Sequence, residues 1–279
     1  MTNPSAHYEL LWSQEFDGPH GEAIDSRTWV FNLGDGSAYG IPGWGNSERE
    51  YYLESAATID GSSNLRIDAK RQPVFTEDNP SGQPFERNPY PAYYGTAAEW
   101  TSAKLTTLNK VSLMYGRVEA RIKAPQGLGT WPAFWMLGTD IEKVPWPQCG
   151  EIDIMEGRGD LASTLYGTLH GPGYSGEFGK GKVIDTNVTL SDDYHIYAVE
   201  WIEDEIRWFF DDEMYAVTRA ADIAPLEWVY NKPFYIIVNL AMGGHFTGPI
   251  DETLESATLL IDYIRHYSIN GVGSYEFHL

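Results

Sequence analysis

Three carboxylates, Glu151, Asp153 and Glu156, fall within the six-residue run Glu151-Ile152-Asp153-Ile154-Met155-Glu156. Like charges this close oppose one another's ionisation, and folding alone gives no reason to gather them. Cleavage of a glycosidic bond does: one carboxylate attacks the sugar, a second protonates the leaving oxygen, and a third tunes the pair. Ile152 and Ile154 alternate with the acids, which predicts a strand with one buried face. Glu151 and Asp153 then share a face, but Glu156 has the wrong parity. A β-bulge near Ile154-Met155 would absorb one residue and restore it. The span then covers four steps, roughly 13 Å at ~3.3 Å per residue, and inward-leaning glutamates would close the carboxyl gap to about 5–6 Å. A retaining glycosidase needs ~5–5.5 Å, whereas an inverting one needs more. A solvated acidic strand is disfavoured by the alternating isoleucines. Oxygen ligands for a hard cation would instead want a turn of Asx and Gly.

The remaining elements must hold this strand in place. Helical periodicity is scarce: only Thr218 to Val229 reads as a short helix, interrupted by Pro225. Strand-like runs dominate, separated by Gly, Pro, Asn and Asp. They include Leu10–Phe16, Asn64–Ala69, Ser102–Thr106, Tyr115–Lys123, Thr130–Leu137, Ser163–His170, His195–Ile202, Glu205–Phe210, Phe234–Ala241 and Ala257–Tyr267. Many short strands without helices predict an all-β antiparallel sandwich. In Tyr115–Lys123, the charged residues 117, 119, 121 and 123 share one face and Val118, Ala120 and Ile122 the other, which reads as half-buried. Trp131 and Trp135 share a face opposite Phe134 and Met136, and suit stacking on sugar rings. Tyr166, Thr168 and His170 share a face of the following strand. If that strand neighbours the acids, His170 reaches a carboxylate or the substrate. No linker or repeat divides the 279 residues, so one domain spanning 1–279 is expected.

The chain carries 40 acidic against 19 Lys and Arg residues, a net charge of −21. This excludes nucleic acid and anionic membrane surfaces as natural partners and disfavours sulfated polymers. No apolar run is long enough for a transmembrane helix. Cys149 is the only cysteine, so no intrachain disulfide forms, and its apolar surroundings predict an inert thiol. Met1 to Tyr8 lacks a basic stretch followed by an apolar one. The expectation is an extracellular enzyme whose leader is absent from these residues, with a cytoplasmic enzyme as the alternative. No spacing suggests zinc or a phosphate-binding loop.

With these residues in view, Gly150 to Glu156 resembles the signature of family-16 glycoside hydrolases. Tyr115 to Lys123 and Trp131-Pro132-Ala133-Phe134-Trp135-Met136 resemble the laminarinase branch. So do Trp44-Gly45-Asn46-Ser47-Glu48, Gly167-Thr168-Leu169-His170, Asn239 to Gly244 and Asp262-Tyr263-Ile264-Arg265, and the likeness runs from Leu11 to Tyr267. The resemblance implies a β-jelly-roll sandwich with a concave substrate cleft, and endo-hydrolysis of neutral β-1,3-glucan with retention through a covalent glycosyl-enzyme. It implies Glu151 as nucleophile, Glu156 as acid/base and Asp153 as helper. It implies that Asn46, Glu48, Arg121, Trp131, Trp135 and His170 line or brace the cleft. Met155 is the extra residue of laminarinases and agarases that lichenases lack. The family often carries a structural calcium on the convex face, matched here by backbone oxygens of Glu15 and Gly61 and by Asp262; no cofactor is implied for catalysis. The chain departs from the family at His245-Phe246, where a Trp is common, and in the long irregular stretch from Arg71 to Trp100, a candidate cleft wall. The alternatives are an agarase, another polysaccharide hydrolase or transglycosylase of this fold, or a non-catalytic β-glucan-binding module. A monomer is expected.

Overall fold

A computed structural model describes residues 6–72 and 99–278. Two antiparallel sheets face each other across one apolar core. The ten-stranded sheet runs Glu213–Arg219, Glu205–Phe210, His195–Ile202, Gly116–Lys123, Ser256–Ile269, Leu65–Arg71, Trp100–Ser102, Glu50–Tyr52, with Tyr8–Gln14 and Ala57–Ile59 paired off this path. The nine-stranded sheet runs Lys180–Asp185, Thr164–His170, Glu151–Gly157, Thr130–Gly138, Phe234–Met242, Lys104–Thr106, Val30–Phe31, with Val111–Met114 and Ser274–Phe277 paired off this path. One pair, Glu50–Tyr52 with Trp100–Ser102, is parallel. This is the expected all-β jelly-roll sandwich.

Alternation decides what enters the core. Val118, Ala120 and Ile122 from one sheet meet Phe134, Met136, Ile152 and Ile154 from the other. Burying each large side chain contributes about 1.5–3 kcal/mol. Phe234–Met242 is buried along its whole length, because it is central in its sheet and its outer face is also covered. There Tyr235 and Ile237 pack with Leu137 and Cys149. Burial pushes the Cys149 thiol up to about 12, so it is a packing group and no nucleophile.

Two local expectations change. The Gly116–Lys123 strand is covered on both faces as far as Ala120, while Arg121 and Lys123 stay partly exposed. There Arg117 (3% exposed) and Glu119 are buried in an ion pair at 2.7 Å, and Arg117 also reaches the exposed Asp212 at 2.7 Å, so this part of the charged face is not a solvated surface. The helix expected over Thr218–Val229 is one turn, Ala220–Ile223, since Thr218 and Arg219 still belong to the preceding strand and Pro225 bars continuation. The stretch expected to wall the cleft lies, for residues 73–98, outside the described residues.

Candidate active site

The acids stand on the outer face of the nine-stranded sheet, placed there by register. On one side Glu151 pairs with Leu137, Asp153 with Trp135 and Glu156 with Ala133. On the other, Glu151 pairs with His170, Asp153 with Thr168 and Glu156 with Tyr166. Three steps from Asp153 to Glu156 therefore oppose two steps from Thr168 to Tyr166. That is the expected bulge. Ile154 and Met155 are both fully buried, so consecutive side chains enter the core and parity is reset. A bulge interrupts the ladder, and here the indole of Trp208, from the opposite sheet, donates to the Asp153 carbonyl at 2.9 Å. Ahead of the strand, Gly150 has φ 76° and packs its backbone against Val229, Phe234 and Tyr230. A Cβ there would be strained and crowded.

Two indoles hold the glutamates. Trp146 Nε1 donates to Glu151 Oε2 and Trp131 Nε1 donates to Glu156 Oε1, each at 2.9 Å. His170 Nε2 lies 3.2 Å from Asp153 Oδ2 and 3.7 Å from Glu151 Oε1. Burial pushes Glu151 well above the usual carboxylate range, and the Asp153 charge adds to it; His170 and Trp146 pull the other way. Asp153, only 2% exposed, is raised by burial and then by Glu156. Glu156 is raised by burial against the pull of His170 and Trp131. Carboxyls so arranged cannot all ionise together, so the cluster retains a proton and titrates as a unit. One acid can then donate while another attacks. The ligand atoms of Glu151, Asp153 and His170 lie within 4.8 Å of one another, compact enough to grip a cation. The Trp146 hydrogen bond falls on Glu151 Oε2 and leaves Oε1 facing His170.

Trp131 and Trp135 lie on this same face. Trp135 begins a relay: its Nε1 donates to Asn239 Oδ1 (2.8 Å), Asn239 Nδ2 to the Tyr52 hydroxyl (3.2 Å), and that hydroxyl to Glu48 Oε2 (3.2 Å). Asn46 Nδ2 donates to the other Glu48 oxygen at 3.1 Å. Glu48 is 8% exposed, so it braces the Asn46 loop from below. That loop leans on Gly244 (φ 92°), where a Cβ would come within 2.8 Å of the Asn46 carbonyl. Beyond the departure at His245, Phe246 fills the space, its ring 4.8 Å from Trp131 and 4.9 Å from Tyr166.

Arg121 is a correction. Its neighbours Ala120 and Ile122 enter the core, so it points to the outer side of the ten-stranded sheet, away from the acids. There it pairs with Asp262 at 2.6 Å and lies over Tyr194 at 4.5 Å. The positions matched to calcium share this side. The Glu15 carboxylate is held by Arg265, and the Gly61 turn packs on His20. Asp262 keeps one oxygen beyond its bond to Arg121, and a carboxylate oxygen of this kind suits a hard cation. Such an ion would be held by Asp262 with the carbonyls of Glu15 and Gly61, and would tie strands together without touching the acids.

Asn239 and Phe246, which the sequence offered only within a matching and a departing stretch, complete the face with Trp146, Glu50 and Lys104, and sequence reasoning did not pick out these last three. Trp146 alone carried a signal, as an aromatic five residues before Glu151 in a Pro-flanked loop.

Buried, indole-braced carboxylates on the open face of a β-sandwich define a glycoside hydrolase. The sequence model of Glycosyl hydrolases family 16 matches residues 55–265, and the chain belongs to that family. It is 35% identical over 280 residues to a "Beta-glucanase" of Rhodothermus marinus, covering 95% of this chain and 87% of the relative. Its fold is similar to the endo-beta-1,3-glucanase of Pyrococcus furiosus, with a TM-score of 0.85, 40% identity, and coverage of 95% of this chain and 96% of that one. It is similar too to the laminarinase catalytic domain of Thermotoga maritima, with a TM-score of 0.83, 43% identity, and coverage of 94% and 98%.

Proposed function

We propose that the chain is a retaining endo-β-1,3-glucanase acting on laminarin-type polymers. The observation that carries this is the bulge, which turns Glu156 onto the face of Glu151 and Asp153. In this reading a Glu151 oxygen attacks the anomeric carbon as the glycosidic bond breaks, and the leaving oxygen takes the proton of Glu156. Glu156, now a carboxylate, takes a proton from water, whose oxygen displaces Glu151 from the anomeric carbon. Two inversions give retention. Asp153, raised well above the usual range by burial and then by the Glu156 charge, is hydrogen-bonded to Glu151 and shares the cluster's retained proton with the pair. The aromatic face formed by Trp131 and Trp135 supplies stacking for sugar rings, and the acidic surface favours a neutral polymer.

Secretion and a monomeric state belong to the same proposal, as does a structural calcium at Glu15, Gly61 and Asp262. Digestion of laminarin, followed by mass spectrometry and anomeric NMR, tests the reading. Mixed oligosaccharides with β-anomers appearing first support it. Products only from agar or mixed-linkage glucan would replace the substrate, and α-anomers first would refute retention. Tight binding without product would leave a recognition module.

A further inference from the structure

Trp208 reaches across the core. Its strand, Glu205–Phe210, belongs to the ten-stranded sheet, yet its indole donates at 2.9 Å to the Asp153 carbonyl in the nine-stranded sheet. The side chain is fully buried. A carbonyl in a regular strand points along the sheet to a neighbouring strand. This one is met from the opposite sheet, so it has turned out of the ladder. It belongs to the residue at which pairing slips. Asp153 still opposes Thr168, Glu156 opposes Tyr166, and Ile154 and Met155 share the single position Gly167. A buried carbonyl left without a donor is costly. The indole therefore stabilises the bulged register over the regular one, in which Glu156 would turn into the core.

Gly167 is what lets the indole approach. A Cβ there would lie 2.6 Å from Trp208 Cδ1 and 2.9 Å from its Nε1, and would also press on the Tyr215 hydroxyl. Glycine within a strand marks such a close approach. The indole thus touches the main chain of the site, not its carboxyls, and its influence on the chemistry runs through the bulge. We propose that Trp208 is a positioning residue for glycoside cleavage: its bond to the Asp153 carbonyl, admitted by Gly167, fixes the bulge and with it the place of the Glu156 carboxyl relative to Glu151. The inference rests on the retaining-glucanase reading and names what holds that geometry.

Trp208→Phe keeps an aromatic ring in the core and removes the donor. Gly167→Ala keeps the donor and crowds it out of place. Thr107→Val is the control: it strips a buried hydroxyl that donates to the Val111 carbonyl at 2.8 Å and accepts from the Ile236 N–H at 3.0 Å, away from the carboxylate strand. Each is assayed on laminarin as kcat and KM across pH, with Tm alongside. Because a misplacement of about 1 Å can cost up to a hundredfold in rate, Trp208→Phe should lower kcat roughly ten- to a hundredfold. KM should stay within about threefold, since the sugar-stacking face is left in place. A Glu156 carboxyl freed from its place loses part of the burial that holds its proton, so the alkaline limb should move to lower pH. Thr107→Val should lose a few degrees of Tm and keep the parent's kcat, KM and limb. A parent-like kcat and limb in Trp208→Phe, or kinetic losses that Thr107→Val repeats at the same cost in Tm, overturn the inference and leave the indole as core packing. Should Trp208→Phe not fold, Gly167→Ala decides: a lower kcat with a lowered limb supports the brace, and a parent-like profile overturns it. The parent chain is assayed alongside. Absence of product there counts against the glucanase reading and takes this inference with it, whereas normal parental turnover with unaltered variants counts against Trp208 alone.

Discussion

The indole nitrogen of Trp131 stands 2.9 Å from Glu156 Oε1 and donates its hydrogen there. A donated hydrogen bond favours the ionised acid, so Trp131 opposes the burial that keeps Glu156 protonated. Trp131→Phe preserves an aromatic face beside Phe246 and removes the donor. Glu156 should then hold its proton to higher pH. Protonated Glu156 is the form that releases the leaving group, so the alkaline limb of the kcat/KM profile should move upward. The pH dependence on laminarin checks this; a limb that stays in place rules out the donor as a tuning group.

Glu151→Gln separates chemistry from binding. The amide cannot form the glycosyl ester, so turnover should fall by roughly three orders of magnitude or more. Its oxygen still accepts from Trp146, so oligosaccharide affinity should stay within about threefold of the parent's. The substitution also removes one negative charge beside buried Asp153. Stability should rise by about 0.5–2 kcal/mol, as when a strained site is relieved. Turnover near the parent value would reassign the nucleophile, and a lower Tm would show that the carboxylate is structurally required.

The carboxylate strand was legible because alternation and parity make a strong local code. Ile152 and Ile154 fixed the buried face, and the odd position of Glu156 demanded the bulge that Ile154 and Met155 provide. Trp131 and Trp135 followed from the same rule. Arg121 shows its limit: alternation says which residues share a face, but not which sheet the strand joins or which side of it faces the site. Its strand lies in the ten-stranded sheet, so its polar face turned outward. Lys104 and Glu50 occupy three-residue strands, too short for a period to emerge. Trp146 and Phe246 are in loops, where only the folded chain brings them to the acids.

Glu50 predicts a pH effect on stability. It is fully buried, accepts from the Met242 N–H at 2.7 Å, and leaves its other oxygen without a partner beside Glu48. Burial and the Glu48 charge raise it well above the usual range. An acid raised in the folded state contributes stability below its unfolded pKa, and that contribution is lost as pH rises through the folded value. Glu50→Gln removes this loss and offers Glu48 a permanent donor. Its Tm should exceed the parent's at alkaline pH, with the difference shrinking towards pH 4. A constant difference across a Tm-against-pH series would place the effect in packing instead of ionisation.

Calcium at Asp262 should stabilise without affecting catalysis. Asp262, Glu15 and Gly61 belong to the ten-stranded-sheet side of the molecule, whereas Glu151 and Glu156 belong to the outer face of the other sheet. An ion bound only by the folded chain adds about 2.7 kcal/mol at a hundredfold excess over its dissociation constant. Chelation should therefore lower Tm, and added calcium should restore it, with kcat/KM on laminarin unchanged at temperatures well below melting. Asp262→Ala should abolish the response to calcium. It should also lower the chelated Tm slightly, since the half-exposed pair with Arg121 contributes at most about 1 kcal/mol. A Tm indifferent to chelator and calcium alike would mean that the Arg121 guanidinium already supplies the positive charge Asp262 requires, and that no calcium is held on this side.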